Sequence, residues 1–150
     1  MQLRALLLLL FFCTYSNLNP IARANEHDSS HLYYIVHEPE IKSEHPPVLF
    51  LLHGFGGAEK NLFNMALANF PKNLLIVAAR GPIILNEGSY AWCHVTVTNG
   101  ERIMNNDEAE ESRKLILKMI DEVNTKYHTN TKKAYLLGFS QGSRMSYAVA

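Results

Sequence analysis

Ser140 is the residue with the clearest potential for chemistry. It lies at the centre of Gly138-Phe139-Ser140-Gln141-Gly142, between an apolar stretch and a segment with helical spacing. A serine on a sharp strand-to-helix turn has strained backbone angles, and glycines are needed beside it because the chain passes close to itself. The N-terminus of the following helix favours the negative charge that builds on an attacked carbonyl oxygen. The pattern predicts a nucleophilic serine, and its alternative is a glycine-flanked turn whose serine is idle.

A second glycine-rich turn, His53-Gly54-Phe55-Gly56-Gly57, follows the apolar run Val48 to Leu52. Its glycines would let the main chain approach a substrate closely. We expect His53, at the end of a strand, to hold this loop by hydrogen bonding rather than to act as a catalytic base. The alternative for the whole segment is a strand-to-helix turn without chemistry.

Strands and helices alternate along the chain and must position these two turns. Short apolar runs bounded by turn signals are typical of buried strands, and apolar residues three or four apart are typical of helices. The alternation predicts an α/β fold with a mostly parallel sheet and crossover helices. The stretch from Ile83 to Asn106 has no clear period, and we expect it to be long and mostly irregular. The predicted strands are Leu32 to His37, Val48 to Leu52, Leu74 to Ala78 and Lys133 to Leu137 (the last three buried), and the predicted helices are Asn61 to Asn69, Asp107 to Tyr127 and the segment from Ser140 onward.

Four segments together resemble the phospholipase/carboxylesterase family of α/β hydrolases, which includes acyl-protein thioesterases and small bacterial carboxylesterases. They are Leu52 to Gly57, Ala79-Arg80-Gly81-Pro82, Trp92, and Gly138 to Gly142. The resemblance runs from about Val48 to the end and covers the first half of the family's domain. It implies an α/β-hydrolase fold, truncated after the nucleophile helix. It also implies a serine hydrolase that cleaves carboxylic esters or thioesters without metal or organic cofactor.

The resemblance also assigns roles to individual residues. It makes Ser140 the nucleophile and the backbone N–H groups of Phe55 and Gln141 the donors of the oxyanion hole. The apolar wall of the acyl pocket would come from Ile83, Ile84, Leu85 and Trp92, with ordinary loop packing as the alternative. The sequence departs from the family's pattern at Cys93-His94, where an aromatic residue and an aspartate are usual, and at Ser143, where glycine is frequent.

The rest of a catalytic triad is missing from these 150 residues. In this fold an Asp and then a His follow the nucleophile along the chain. All seven histidines precede Ser140, and neither Asp nor His follows it. We therefore expect 32–150 to be the N-terminal part of a hydrolase domain that is inactive by itself. Either the sequence is truncated or the gene is disrupted. The alternatives are a non-catalytic remnant or binding protein on this scaffold, and a peptidase or feruloyl-type esterase.

The first residues have the order of a secretory signal peptide. A short positive start at Arg4 precedes the apolar run Ala5 to Cys13, and Ala22-Arg23-Ala24 is a cleavage site of small residues. The run is shorter than the roughly 20 residues that span a bilayer, although a retained anchor is the alternative. We expect 1–24 to be removed, 25–31 to be a flexible leader, and the protein to be exported, either secreted or periplasmic.

Composition restricts the partners. A hydrophobic content of 47% excludes a disordered or collagen-like chain. Without Arg4 and Arg23, 12 of the 14 basic residues remain against 14 acidic ones, a net charge of −2. No basic patch is present, which argues against nucleic acid or an anionic membrane surface as a partner. The short apolar run argues against stable membrane insertion, and the family resemblance implies a small ester or thioester as the partner. Cys93 is the only cysteine after cleavage, and we interpret His27, Asp28 and His31 as a solvated leader rather than a metal site.

Overall fold

The computed structural model describes residues 30–150. The predicted signal peptide, 1–24, and the first part of the predicted leader, 25–29, lie outside the described residues, as do His27 and Asp28. At the end of that leader, His31 contacts Glu122 at 2.5 Å. Within 30–150 no group of three His, Cys, Asp or Glu side chains could hold a metal ion.

A four-stranded sheet forms the centre of the molecule. Its strands are β1 (Tyr34–His37), β2 (Val48–Leu52), β3 (Leu75–Ala79) and β8 (Ala134–Gly138). Their spatial order is β1-β3-β2-β8, with β3, β2 and β8 parallel and β1 antiparallel at one edge. This confirms the mostly parallel sheet that the alternation predicted.

Helices cover both faces of this sheet. The helices are α1 (Lys60–Asn69), α2 (Asn106–Tyr127) and α3 (Gln141–Val149), and a 3₁₀ turn, Thr131–Lys133, precedes β8. Successive side chains of a strand point to opposite faces. Leu49 and Leu51 therefore pack with α1, whereas Val48, Phe50 and Leu52 pack with α2 and α3. None of the helices in the described part of the chain is long and apolar enough to cross a membrane.

The long helix α2 confirms the strongest helical pattern in the sequence. The Asn105 side chain caps its first turn by accepting hydrogen bonds from the backbone N–H groups of Asp107 and Glu108. Ile116, Met119 and Val123 form its buried stripe. The helix ends at Tyr127, because the next residue, His128, has a left-handed φ of 50° that cannot continue it.

The expectation of an irregular stretch from Ile83 to Asn106 is wrong. Two β-hairpins fill it, because Asn99 and Gly100, with φ of 54° and 81°, form a two-residue turn that joins twisted strands. The residues on either side of this turn form two paired strands, whose side chains point alternately to the two faces of the hairpin. The hairpins consist of β4 (Ile83–Asn86) with β5 (Ser89–Ala91), and β6 (Val95–Thr98) with β7 (Glu101–Met104).

The apolar segment before Ser140 forms an edge strand that is exposed along its first half and partly buried along its second half. β8 is at the edge of the described sheet and pairs only with β2 there. Ala134 and Tyr135 are consequently exposed, whereas Leu136 and Leu137 are half-buried against the two hydrophobic layers. An apolar sequence does not distinguish a central strand from an edge strand.

A candidate nucleophile site at the end of the sheet

Ser140 occupies a strained turn between β8 and α3. Its φ of 51° and ψ of −112° lie outside the regions that a non-glycine residue normally adopts. Strain of this kind persists only where the surroundings enforce it, and it concentrates at functional sites. The side chain is exposed, and α3 begins at the next residue. The turn therefore presents a hydroxyl group to solvent at the N-terminus of a helix.

Close passage of the chain enforces this turn. A Cβ at Gly142 would collide with the carbonyl oxygens of Leu52 and His53, and a Cβ at Gly138 would collide with the Gly142 carbonyl. The backbone N–H of Phe139 donates to the Leu52 carbonyl at 3.0 Å. The start of α3 is thus pressed against the end of β2, where the second glycine-rich turn begins.

His53 holds that second turn together. Its Nε2 accepts a hydrogen bond from the Gly81 backbone N–H at 2.9 Å, so the ring proton is on Nδ1, which donates to the Gly54 carbonyl at 2.7 Å. The imidazole is only 2% exposed. Burial lowers the pKa of His53, although the hydrogen bond with Gly54 opposes this shift. The neutral ring acts as a brace for the loop, as expected from its position at a strand end.

The Gln141 side chain ties the Ser140 turn to the segment before β6. Its Oε1 accepts from the Trp92 backbone N–H at 2.9 Å, and its Nε2 donates to the Cys93 carbonyl at 2.8 Å. The Trp92 indole N–H donates in turn to the His53 carbonyl at 2.8 Å. These buried hydrogen bonds connect the Ser140 turn, the Trp92 segment and the His53 loop in one network. The sequence assigned Gln141 a backbone role only and did not reveal this contact.

Phe55 and Gln141 both line the cleft at Ser140. Within residues 30–150, neither backbone N–H has a hydrogen-bond acceptor. The N–H groups in the first turn of a helix carry partial positive charge, which favours an anion there. Two unpaired donors beside an exposed serine could donate hydrogen bonds to the oxygen of an attacked carbonyl group. Their role as oxyanion donors stays a prediction.

The residues expected to form the acyl wall lie elsewhere. Ile83 packs near α2, Ile84 is 70% exposed and Leu85 is half-buried on the same strand, β4. Trp92 is fully buried in the core, where its carbonyl also accepts a hydrogen bond from the Ser112 hydroxyl. The structure therefore does not bring these four residues to Ser140. Trp92 is held away from the cleft because its polar atoms are hydrogen-bonded within the core.

The second hairpin forms the cleft wall instead. The cleft has a volume of about 390 Å³, and one face of β6 and β7 lies along it. This wall was not predicted, because the segment was expected to be irregular, although the Asn99-Gly100 turn could have indicated the hairpin. The lining residues are Phe55, Val95, Val97, Arg102, Met104, Ser140, Gln141, Ser143 and Arg144.

No described histidine is placed as a base for the Ser140 hydroxyl. Within 30–150 the Ser140 Oγ has no hydrogen bond, and His94, beyond the buried Cys93, pairs with Glu108 at 2.9 Å. Cys93 is not an alternative nucleophile, because burial raises the pKa of its thiol. The described residues thus contain the candidate nucleophile and two candidate donors but no base in contact with them.

A substitution at Gly142 tests the close contact between the start of α3 and the end of β2. Gly142→Ala should lower the free energy of unfolding by more than 3 kcal/mol, because its Cβ overlaps the backbone of β2, which can move little. Gly100→Ala is the control, since nothing lies within 4 Å of its Cβ and only its positive φ of 81° is strained. That control should lose about 1 kcal/mol in urea unfolding. Equal losses in the two variants would contradict the account.

The burial of His53 predicts that the free energy of unfolding depends on pH. Because the folded-state pKa is lowered, the unfolded chain binds a proton that the folded protein does not, so the free energy of unfolding falls as the pH drops below about 6.5. The maximum effect is about 1.4 kcal/mol per pH unit. His53→Gln should remove this component from urea-unfolding curves measured between pH 7 and 5. His45→Gln, at an exposed position, should retain the wild-type slope, and an unchanged slope in His53→Gln would refute the prediction.

Comparison with solved structures identifies similar folds. A carboxylesterase from Mesorhizobium loti superposes with a TM-score of 0.67 at 23% identity, over 85% of this chain and 57% of that protein. The Bacillus cereus carboxylesterase gives 0.64 at 21% identity, over 79% and 52%. An acyl-protein thioesterase 2 from Zea mays gives 0.52 at 18% identity, over 77% and 49%. The chain thus spans about half the length of these structures.

Comparison by sequence identifies the family. No curated protein matches the chain. The phospholipase/carboxylesterase family profile matches residues 34–150, which is most of the sequence. With its mixed sheet covered by helices on both faces, the chain belongs to the phospholipase/carboxylesterase family and has the α/β-hydrolase fold.

Proposed function

We propose that the protein is a serine hydrolase that cleaves carboxylic esters or thioesters through an acyl-enzyme on Ser140. The observation that carries this proposal is the strained, exposed Ser140 turn beside two backbone N–H groups without acceptors. Membership of the phospholipase/carboxylesterase family supports an esterase-type hydrolase. The carboxylesterases and the acyl-protein thioesterase among similar structures are consistent with an ester or thioester substrate.

In the proposed reaction the Ser140 Oγ attacks the substrate carbonyl carbon while a base removes the hydroxyl proton. The carbonyl oxygen becomes negatively charged and accepts hydrogen bonds from the backbone N–H groups of Phe55 and Gln141. Collapse of this intermediate expels the alcohol or thiol, which takes the proton, and leaves an ester on Ser140. Water then attacks the acyl-enzyme, releases the carboxylic acid and returns the proton to the serine.

The base is the part of this mechanism that residues 30–150 do not provide. A serine hydroxyl without a histidine is a poor nucleophile, and losing an essential triad member can reduce turnover by about a millionfold. Under this proposal the base and its carboxylate partner lie outside the described residues.

A binding protein that retains the scaffold is the competing function, favoured by the absence of any described base next to Ser140.

Labelling with a neutral fluorophosphonate tests the nucleophile. The full-length protein should react at Ser140, and Ser140→Ala should abolish the label because the attacking oxygen is gone. Ser146→Ala is the control, since this serine lies further along α3 and hydrogen-bonds the Gly142 carbonyl. Peptide mass spectrometry locates the adduct. Label that persists in Ser140→Ala would exclude the proposed nucleophile, and an unlabelled wild-type protein would favour the binding function.

We also propose that the protein is exported after cleavage behind Ala24. The positive start, the apolar run from Ala5 to Cys13 and the small residues at the cleavage site support this proposal. N-terminal sequencing of the protein recovered outside the cytoplasm should begin at Asn25. Ala24→Pro should block processing, since the cleavage site needs a small, extended residue. Recovery of unprocessed wild-type protein in the membrane fraction would support a retained anchor instead.

A further inference from the structure

Two arginines line the cleft at Ser140. Arg102 lies on β7 and Arg144 on α3, so they reach the cleft from two different elements. The other lining residues are neutral, and no acidic residue is among them. The cleft therefore combines a candidate nucleophile with a concentration of positive charge. The proposed ester hydrolysis alone does not require this charge.

The register of the second hairpin places Arg102 on the cleft wall. Val95 is opposite Met104, and Val97 is opposite Arg102. Residues two apart on a strand share a face, so these four side chains form a single surface along the cleft. Arg102 lies two residues before Met104, which corresponds to about 7 Å along the strand. The wall is thus apolar at Val95 and Met104, with a cation further along it.

Arg144 closes the cleft from the helix side. It follows Ser140 by four residues, about one helical turn, and side chains lean toward the N-terminus of their helix. Its Nη1 is 3.0 Å from the Met104 sulfur, which fixes the guanidinium against the hairpin wall. The cation therefore lies between the Ser140 turn and β7.

Neither guanidinium is neutralised within the described chain. Among residues 30–150, Arg102 and Arg144 form no ion pair with Asp or Glu, whereas Arg80 pairs with Glu59 and Arg113 with Glu110 at 2.8 Å. The guanidinium fork matches a carboxylate with two parallel hydrogen bonds. An anionic ligand in the cleft would be attracted by both cations, because neither guanidinium is held in an ion pair within residues 30–150.

We propose that this cleft selects esters that carry a carboxylate, bound by Arg102 and Arg144, in the part of the molecule held against the hairpin. Monoesters of dicarboxylic acids are the substrate class that meets this description. Val95, Val97 and Met104 contact the methylene chain, and the ester carbonyl lies at Ser140. The inference rests on the proposed function for its reaction, but the binding of the anion is independent of turnover.

The test compares a monoanionic ligand with its neutral methyl ester, which lacks the charge and carries one additional methyl group. Monomethyl glutarate and its neutral counterpart dimethyl glutarate are titrated calorimetrically into the full-length Ser140→Ala protein, which cannot consume them. The monoanion should bind roughly tenfold more tightly at low ionic strength, as expected for a charge-assisted contact, and the difference should shrink in 1 M salt. Equal affinities would overturn the proposal.

Substitutions then assign the preference to the two arginines. Arg102→Gln and Arg144→Gln, each in the Ser140→Ala protein, should reduce the ratio of the two affinities, and Arg102→Lys should retain part of it. Arg113→Gln is the matched control, because this half-buried arginine pairs with Glu110 and does not line the cleft. A preference that survives both glutamine variants would also overturn the assignment.

Failure of this inference and failure of the proposed function give different results. If Ser140 is labelled by the fluorophosphonate but the monoanion is not preferred, the proposed hydrolase is supported and the proposed anion site is contradicted. If the monoanion is preferred and the preference depends on the arginines, but Ser140 is not labelled, the anion-binding cleft is supported and the proposed hydrolase is contradicted.

Discussion

The close contact between the start of α3 and the end of β2 is the constraint on which the site depends. Gly142 lies directly on the carbonyl groups of Leu52 and His53, so the helix can begin there only without a side chain. The contact forces the positive φ of Ser140, because the chain must reverse between β8 and α3 over one residue. It also brings the Ser140 turn beside the loop that contains Phe55. Strain at the serine and proximity of the two turns thus have a single cause.

A buried polar network converts this contact into a defined geometry. Gln141 connects to Trp92 and Cys93, Trp92 to His53, and His53 to both Gly54 and Gly81. Every buried side-chain nitrogen and oxygen in the described part of the chain has a hydrogen-bond partner. A fully satisfied network in a low-dielectric interior is rigid, since any shift leaves a polar atom unpaired. The network thus fixes the Ser140 turn against the loop that contains Phe55.

The site could be predicted from the sequence where chemistry depends on the backbone, and not where it depends on long-range packing. The two glycine-rich turns and the strands before them follow from local rules that leave few other conformations. The cleft wall does not follow from local rules, and the family resemblance pointed instead to the segment from Ile83 to Trp92. In the structure Trp92 is drawn into the core by its hydrogen bonds, and the wall belongs to the hairpin around Asn99-Gly100. The positions of Arg102 and Arg144 on the cleft depend on the hairpin register and on the start of α3 together, and no local sequence pattern contains both.

A crystal structure of the phosphonylated protein tests the central claim most directly. The phosphorus atom marks the nucleophile, and its non-bridging oxygen stands in for the oxyanion of the reaction. Our account predicts phosphorus on the Ser140 Oγ, with this oxygen about 3 Å from the backbone nitrogens of both Phe55 and Gln141. Phosphorus on another residue, or an oxygen that points away from both nitrogens, would contradict it.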